Sequence, residues 1–199
     1  NYLEANSMGD GIALNDSVFT ASIDTLTALN VGNMSIADLT GIEGFSDLTN
    51  LKCGYNQLAN IDLSQNTALT FLNCTTNVLT NIDVSQNTIL EYLECGFNQL
   101  TSLDVSLSPA LTYLSCWENQ LTNLDVSQNV TLTEFSCAYN QLTSLDIRNG
   151  NNTNLPYFWA EYNPNLNCIN VDNAVWSTAN WTLANSNIDA QHYFSTNCQ

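Results

Sequence analysis

Leu48-Thr-Asn-Leu51-Lys-Cys53-Gly-Tyr-Asn56-Gln-Leu58-Ala-Asn-Ile61-Asp-Leu63-Ser-Gln-Asn66 holds one pattern twice. The spacing L-x-x-L-x-L-x-x-N runs from Leu48 to Asn56, with Cys53 in the third apolar place, and again from Leu58 to Asn66. The whole unit then recurs. Cys53, Cys74, Cys95, Cys116 and Cys137 are spaced by 21 residues, and the text around them is nearly constant: Leu-Thr-x-Leu-x-Cys-x-x-Asn-Gln-Leu-Thr-x-Leu-Asp-Val-Ser-x-Asn. A fixed period of this length marks a stack of identical supersecondary units.

The pattern predicts the shape of each unit. In L-x-L the apolar residues alternate, so one face of a short strand is buried. A single coil cannot bury that face; coils stacked in register can. Neighbouring strands then form a parallel sheet about 4.8 Å apart. Asn56, Asn77, Asn98, Asn119 and Asn140 fall in the turn after the strand, where an amide can bond backbone groups of the next coil. The expected fold is therefore mainly β, a parallel solenoid of about seven coils. Both halves of each unit carry the strand pattern, which favours two facing parallel sheets. The alternative is a horseshoe with one sheet and an irregular convex side.

These nested units resemble the leucine-rich repeats, in particular their 21-residue IRREKO class. The resemblance covers roughly residues 24 to 170. It includes an irregular first repeat, Leu26-x-x-Leu29-x-Val31-x-x-Met34, and a degenerate last one, Leu155-x-x-Phe158-x-Ala160-x-x-Asn163. Ile36-Ala37-Asp38-Leu39-Thr40-Gly41-Ile42 looks like the repeats of internalin-type surface proteins. The segment Asn163-Pro-Asn-Leu-Asn-Cys168-Ile-Asn-Val-Asp172 resembles end caps of exported Bacteroidota surface proteins. The resemblance implies a secreted or cell-surface protein that binds through its repeats.

A solenoid must close its ends. We assign 1–24 to an N-terminal cap, 25–164 to the repeats and 165–199 to a C-terminal cap. Cys168 and Cys198 are the two cysteines off the 21-residue grid, and we expect a disulfide between them. The five repeat cysteines read as small buried apolar groups.

Nineteen acidic residues face only Lys52 and Arg148, a formal charge of -17. That balance argues against nucleic acid and anionic membrane surfaces, which need clustered cations. No apolar run approaches the length of a membrane-spanning helix, and no leader is visible, so export rests on the resemblance. A monomer is expected.

Function is sought on the outward columns. Along the first strand of successive coils one column reads Phe71, Tyr92, Tyr113, Glu134, Tyr157, with Trp117 and Trp159 nearby and Glu94 beside it. A solvated sheet face does not need such rings, and an aromatic strip marks a surface for a protein or glycan partner. The competing reading is a cross-strand ladder that only stabilises the sheet. In the following turn, Tyr55, Phe97 and Tyr139 are expected to pack over the coil edge.

The second strand presents Asp62, Asp83, Asp104, Asp125 and Asp146 in one file. Calcium favours such oxygen ligands, but six or more must converge on one ion, and no calcium-loop motif is present. No cofactor is expected, and these aspartates are weak calcium candidates at most. His192 is the only histidine, no flanking motif builds a triad around it, and a flat face offers no cleft for a reacting sugar. The chain reads as a non-enzymatic recognition or adhesion module, with a non-binding spacer domain as the alternative.

Overall fold

The structure is a computed structural model that describes Ile23 and residues 25–199. The expected N-terminal cap over 1–24, Ile23 excepted, lies outside the described residues. Short strands recur once or twice per coil. They are β1 (Ala28–Asn30), β2 (Asn50–Lys52), β3 (Phe71–Asn73), β4 (Tyr92–Glu94), β5 (Tyr113–Ser115), β6 (Asn123–Asp125), β7 (Glu134–Ser136), β8 (Ser144–Asp146), β9 (Tyr157–Trp159), β10 (Cys168–Asn170) and β11 (Tyr193–Ser195). The first sheet runs β1-β2-β3-β4-β5-β7-β9 and the second β11-β10-β8-β6. Every pairing is parallel.

Register follows the sequence period. Leu51, Leu72, Leu93, Leu114, Phe135 and Phe158 stand opposite one another, and all are fully buried. The column from Cys53 to Cys137 runs beside them, equally buried and unpaired. A one-residue slip would turn these side chains to solvent, so the buried face fixes the register.

The turns are stitched by asparagine. Asn119 Oδ1 accepts the N–H of Leu100 (2.9 Å), while its Nδ2 donates to the carbonyls of Cys95 (3.1 Å) and Cys116 (3.0 Å). One amide thus serves its own coil and the preceding one. Asn77, Asn98, Asn140 and Asn163 repeat the arrangement, accepting from Leu58, Leu79, Leu121 and Leu142. A second column sits at the far corner. Asn66, Asn87 and Asn129 each donate to two carbonyls of preceding coils.

The two sheets are unequal. The first spans seven coils, whereas the second forms only toward the C-terminal end. Both expected architectures are therefore present: one sheet with an irregular far side in the early coils, and two facing sheets in the later ones. Charge differs on the two sides of the boundary. Asp83 lies close enough to Asp62 and Asp104 for their charges to oppose its ionisation, and like charges opposite one another disfavour a ladder. In the second sheet Asp146 stands opposite Asp125 on one side and the neutral Asn170 on the other, and it is paired with Arg148. The early coils leave a shallow depression of about 650 Å³ on this side, lined by Asp83, Asp104 and Asp125 among others.

The 165–199 segment does more than cover an end. Its strands β10 and β11 extend the second sheet, and the Cys168–Cys198 disulfide ties β10 to the last residues across a Cα separation of 5.8 Å. Helix α1 (Ala174–Asn180) begins at Asn173, whose side chain accepts the N–H of Trp176. It delivers Trp181 onto the end of the repeats. The Trp181 indole is buried, packs 4.5 Å from the ring of Phe158, and donates its N–H to the Leu155 carbonyl.

If charge limits the second sheet, the double change Asp83→Asn/Asp104→Asn keeps the turn acceptors and removes the repulsion. Because hydrogen bonds hold both carboxyls below their ordinary range and so favour the charged form, the readout is salt dependence: the urea midpoint of the variant relative to the parent is expected to be higher at 20 mM salt than at 500 mM, where surface charges are screened. An unchanged midpoint at both salt concentrations would contradict this explanation.

Candidate functional site

The first sheet's outer face is built by register. Phe71, Tyr92 and Tyr113 occupy the same position on adjacent strands. Their rings stack face to face, with centroids 4.2 Å apart for Phe71–Tyr92 and 4.1 Å for Tyr92–Tyr113, each 9° from parallel. Burial against neighbours raises both phenols above their usual range. Glu94 stands beside the stack and accepts from Asn73 Nδ2 and from the Tyr92 hydroxyl. The Lys52 ammonium lies 5.4 Å above the outer face of Phe71, a cation–π contact.

The next position breaks the stack. Glu134 is the register partner of Tyr113 on one side and of Tyr157 on the other. Tyr157 is 55% exposed, and the Trp159 ring lies 6.2 Å from it at 16°. The ion pair among the described residues is Arg148–Asp146, and the other basic-to-acidic contact is that of the His192 ring with Asp189, so the Glu134 carboxylate has no cationic partner there.

Trp117 joins a different file. It leaves the sheet at the turn and packs edge-on against Phe97 at 4.3 Å. Its indole lies over Gly96, where an added Cβ would come within 2.5 Å of the ring. Tyr139 follows at 6.4 Å from Trp117, and Tyr162 stacks on Tyr139 at 4.2 Å. The turn aromatics do not pack down over the coil edge as expected. Tyr55, Phe97, Tyr139 and Tyr162 are all exposed.

The backbone explains their direction. Tyr55, Thr76, Phe97, Glu118, Tyr139 and Tyr162 each precede a ladder asparagine and each has φ between 50 and 57°. That left-handed conformation aims their side chains away from the core, and it is strained for bulky residues. Sequence reasoning missed Tyr162. The signal was present, since Tyr162 precedes Asn163 as Tyr139 precedes Asn140, but the last repeat is two residues longer.

The aspartate file is structural in geometry. Asp62, Asp83, Asp104, Asp125 and Asp146 each accept the backbone N–H two residues on, at 2.8–3.1 Å. Hydrogen bonds from Ser64, Ser85 and Ser106 hold Asp62, Asp83 and Asp104 below the ordinary carboxylate range. Burial pushes Asp146 upward, but the bonds and charge of Arg148 outweigh it. Among the described residues no three acidic, histidine or cysteine side chains converge as a metal site. His192 is buried in the cap, its Nδ1 accepting from the Asp189 N–H and its Nε2 facing Asn163 and Asp189. Burial lowers its pKa.

With this geometry in place, known proteins offer a comparison. No family model matches the chain. A stretch of 52 residues is 51% identical to Internalin J of Listeria monocytogenes serotype 4b, which is 26% of this chain and 6% of that protein. The internalin inlF of Listeria monocytogenes superposes with a TM-score of 0.58 at 24% identity, over 84% of this chain and 62% of that one. The APL1 leucine-rich repeat domain superposes with a TM-score of 0.61 at 18% identity, over 78% and 40%. The fold is that of the leucine-rich-repeat proteins. The chain spans less than two thirds of each of these proteins. Among the described residues no helix is long and apolar enough to cross a membrane.

The buried thiols supply a direct check on the inward column. Burial pushes Cys53 up to about 12 and raises the other four thiols as well, and a protonated, enclosed thiol is inert. At pH 8 a disulfide-exchange reagent is expected to find no thiol in the native protein. After unfolding without reductant it should find the five free cysteines. Fast reaction in the native state would show that the column is accessible.

Proposed function

We propose that this protein is a non-enzymatic recognition module of a secreted or cell-surface protein. Its outer face on the first sheet binds a protein or glycan partner. The observation that carries the reading is the aromatic surface formed by Tyr113, Tyr157 and Trp159 on the strands and Phe97, Trp117, Tyr139 and Tyr162 at the turn. Phe97, Tyr139, Tyr157 and Tyr162 are exposed and Tyr113, Trp117 and Trp159 half-buried, and rings presented to solvent in this way are typical of binding surfaces. Four bulky aromatics at a strained turn position, where glycine or asparagine costs less, support a role other than stability. The leucine-rich-repeat fold agrees with binding but argues by analogy alone.

Self-stacking narrows the place. Phe71, Tyr92 and Tyr113 spend most of their ring faces on one another. The free faces lie from Tyr113 onward, with Glu134 between the rings and Glu94 at the margin. The alternative reading, a spacer domain without a ligand, draws on the same stack, because a cross-strand ladder stabilises a sheet by itself. No metal is invoked, and the aspartate file serves the turns.

A screen of the purified protein against a glycan array and candidate surface proteins, with calcium and with chelator, separates the readings. We expect calcium-independent binding that is lost in Tyr113→Ala/Tyr157→Ala while circular dichroism shows both proteins folded. Binding that needs calcium would move the site to Asp62, Asp83, Asp104, Asp125 and Asp146. Complete absence of binding by the folded protein would favour the spacer.

A further inference from the structure

The aromatic file has one missing rung. Rings recur every coil at Phe71, Tyr92 and Tyr113, about one ring thickness apart. At the next coil a carboxylate, Glu134, stands where a ring would be, and the coil after it returns to a ring at Tyr157. Two strand spacings separate Tyr113 from Tyr157, about 9.6 Å between backbones. A flat group entering at the level of Glu134 would lie about 4.8 Å from each flanking rung. Cation–π attraction acts within about 6 Å of a ring centroid.

We propose that the gap between Tyr113 and Tyr157 receives an arginine side chain of a partner polypeptide, whose guanidinium stacks between the two rings and pairs with Glu134. This deepens the recognition reading given above and rests on it. Four observations select the occupant. Two strand spacings leave room for one planar group between the Tyr113 and Tyr157 rungs, beside the Glu134 side chain at the same level, and guanidinium is the planar cation that stacks on aromatic faces. Glu134 is half-buried and without a cationic partner among the described residues, and a carboxylate matches the donor fork of arginine. The opposite end of the same file already carries a cation, Lys52 over Phe71. The chain's charge of -17 draws basic segments toward it. A neutral sugar ring can stack in the gap too, but it gains nothing from that field. An ammonium is compact and strongly hydrated, so lysine fits less well.

The test is a titration of the whole isotope-labelled protein with a capped Gly-Arg-Gly-Arg-Gly peptide, followed by amide and indole resonances. Parallel titrations replace arginine with lysine, with the isosteric neutral citrulline, and with tyrosine. A methyl glucoside titration covers the sugar. Saturable shifts centred on Tyr113, Glu134, Tyr157 and Trp159 are expected for arginine, weaker ones for lysine and none for citrulline. Glu134→Gln should weaken arginine binding about tenfold, since a charge-assisted bidentate pair is lost. Glu134→Tyr should complete the stack and abolish binding in a protein at least as stable as the parent, which excludes unfolding as the cause.

Equal binding of the citrulline or tyrosine peptide would overturn the assignment, as would shifts spread over Asp62, Asp83 and Asp104, or arginine binding that survives Glu134→Tyr. If a glycan or protein from the screen loses affinity in the Tyr113→Ala/Tyr157→Ala protein while the arginine peptide causes no shift, the arginine assignment falls and the recognition face stands. If neither binds, both fall.

Discussion

Each coil of this solenoid is tied to its predecessor by a buried amide. A parallel stack of three-residue strands leaves many N–H and carbonyl groups at its turns without a ladder partner, and a buried polar group without a partner is costly. The ladder asparagine after a first-sheet strand uses both its donors and its acceptor: Asn77, for example, takes the Leu58 N–H and gives to the Cys53 and Cys74 carbonyls. Because the bonds cross between coils, they hold the 21-residue register as well as the turn. The left-handed residue before each asparagine follows from the same turn, and so does the outward aim of Tyr55, Phe97, Tyr139 and Tyr162. The scaffold constraint and the exposed aromatics share one cause.

The fold was legible because period and burial agree. L-x-L spacing and the cysteine grid specified the core columns, the first-sheet register and the Cys168–Cys198 pair. The extent of the second sheet was not legible in the pattern. Asp62 and Asp125 occupy equivalent places in equivalent text, yet only Asp125 lies in a strand. Their neighbours differ: Asp125 stands opposite Asp146, which Arg148 pairs, whereas Asp62 has Asp83 beside it, a difference that lies across coils rather than along the chain. The turn aromatics were misjudged for a related reason. A side chain at a left-handed position points away from the surface it would otherwise cover, and φ is not written in residue type when that residue is tyrosine.

The candidate site was legible in part. The file Phe71, Tyr92, Tyr113, Glu134, Tyr157 was visible as a column, and the structure sets its members in register and stacks the first three rings. Its internal division was not visible, because side-chain spacing alone does not say whether adjacent rings turn their faces to solvent or to one another. Three rings consume their own surface, and the remainder, interrupted by Glu134, is the part that the proposed recognition reading assigns to a partner. A rigid sheet fits that proposal, since register positions the rings in the free protein and little ordering would be needed on binding.

The central claim, that inter-coil amides hold the stack, is tested most directly by denaturant unfolding of Asn119→Ala beside Leu114→Ala. Removing the amide strands a buried N–H and two carbonyls, and the account predicts a loss of about 2–5 kcal/mol, comparable to the cavity left by the leucine truncation. A loss below about 1 kcal/mol for Asn119→Ala, with the leucine variant losing its full share, would show that apolar burial alone sets the register and would contradict the account.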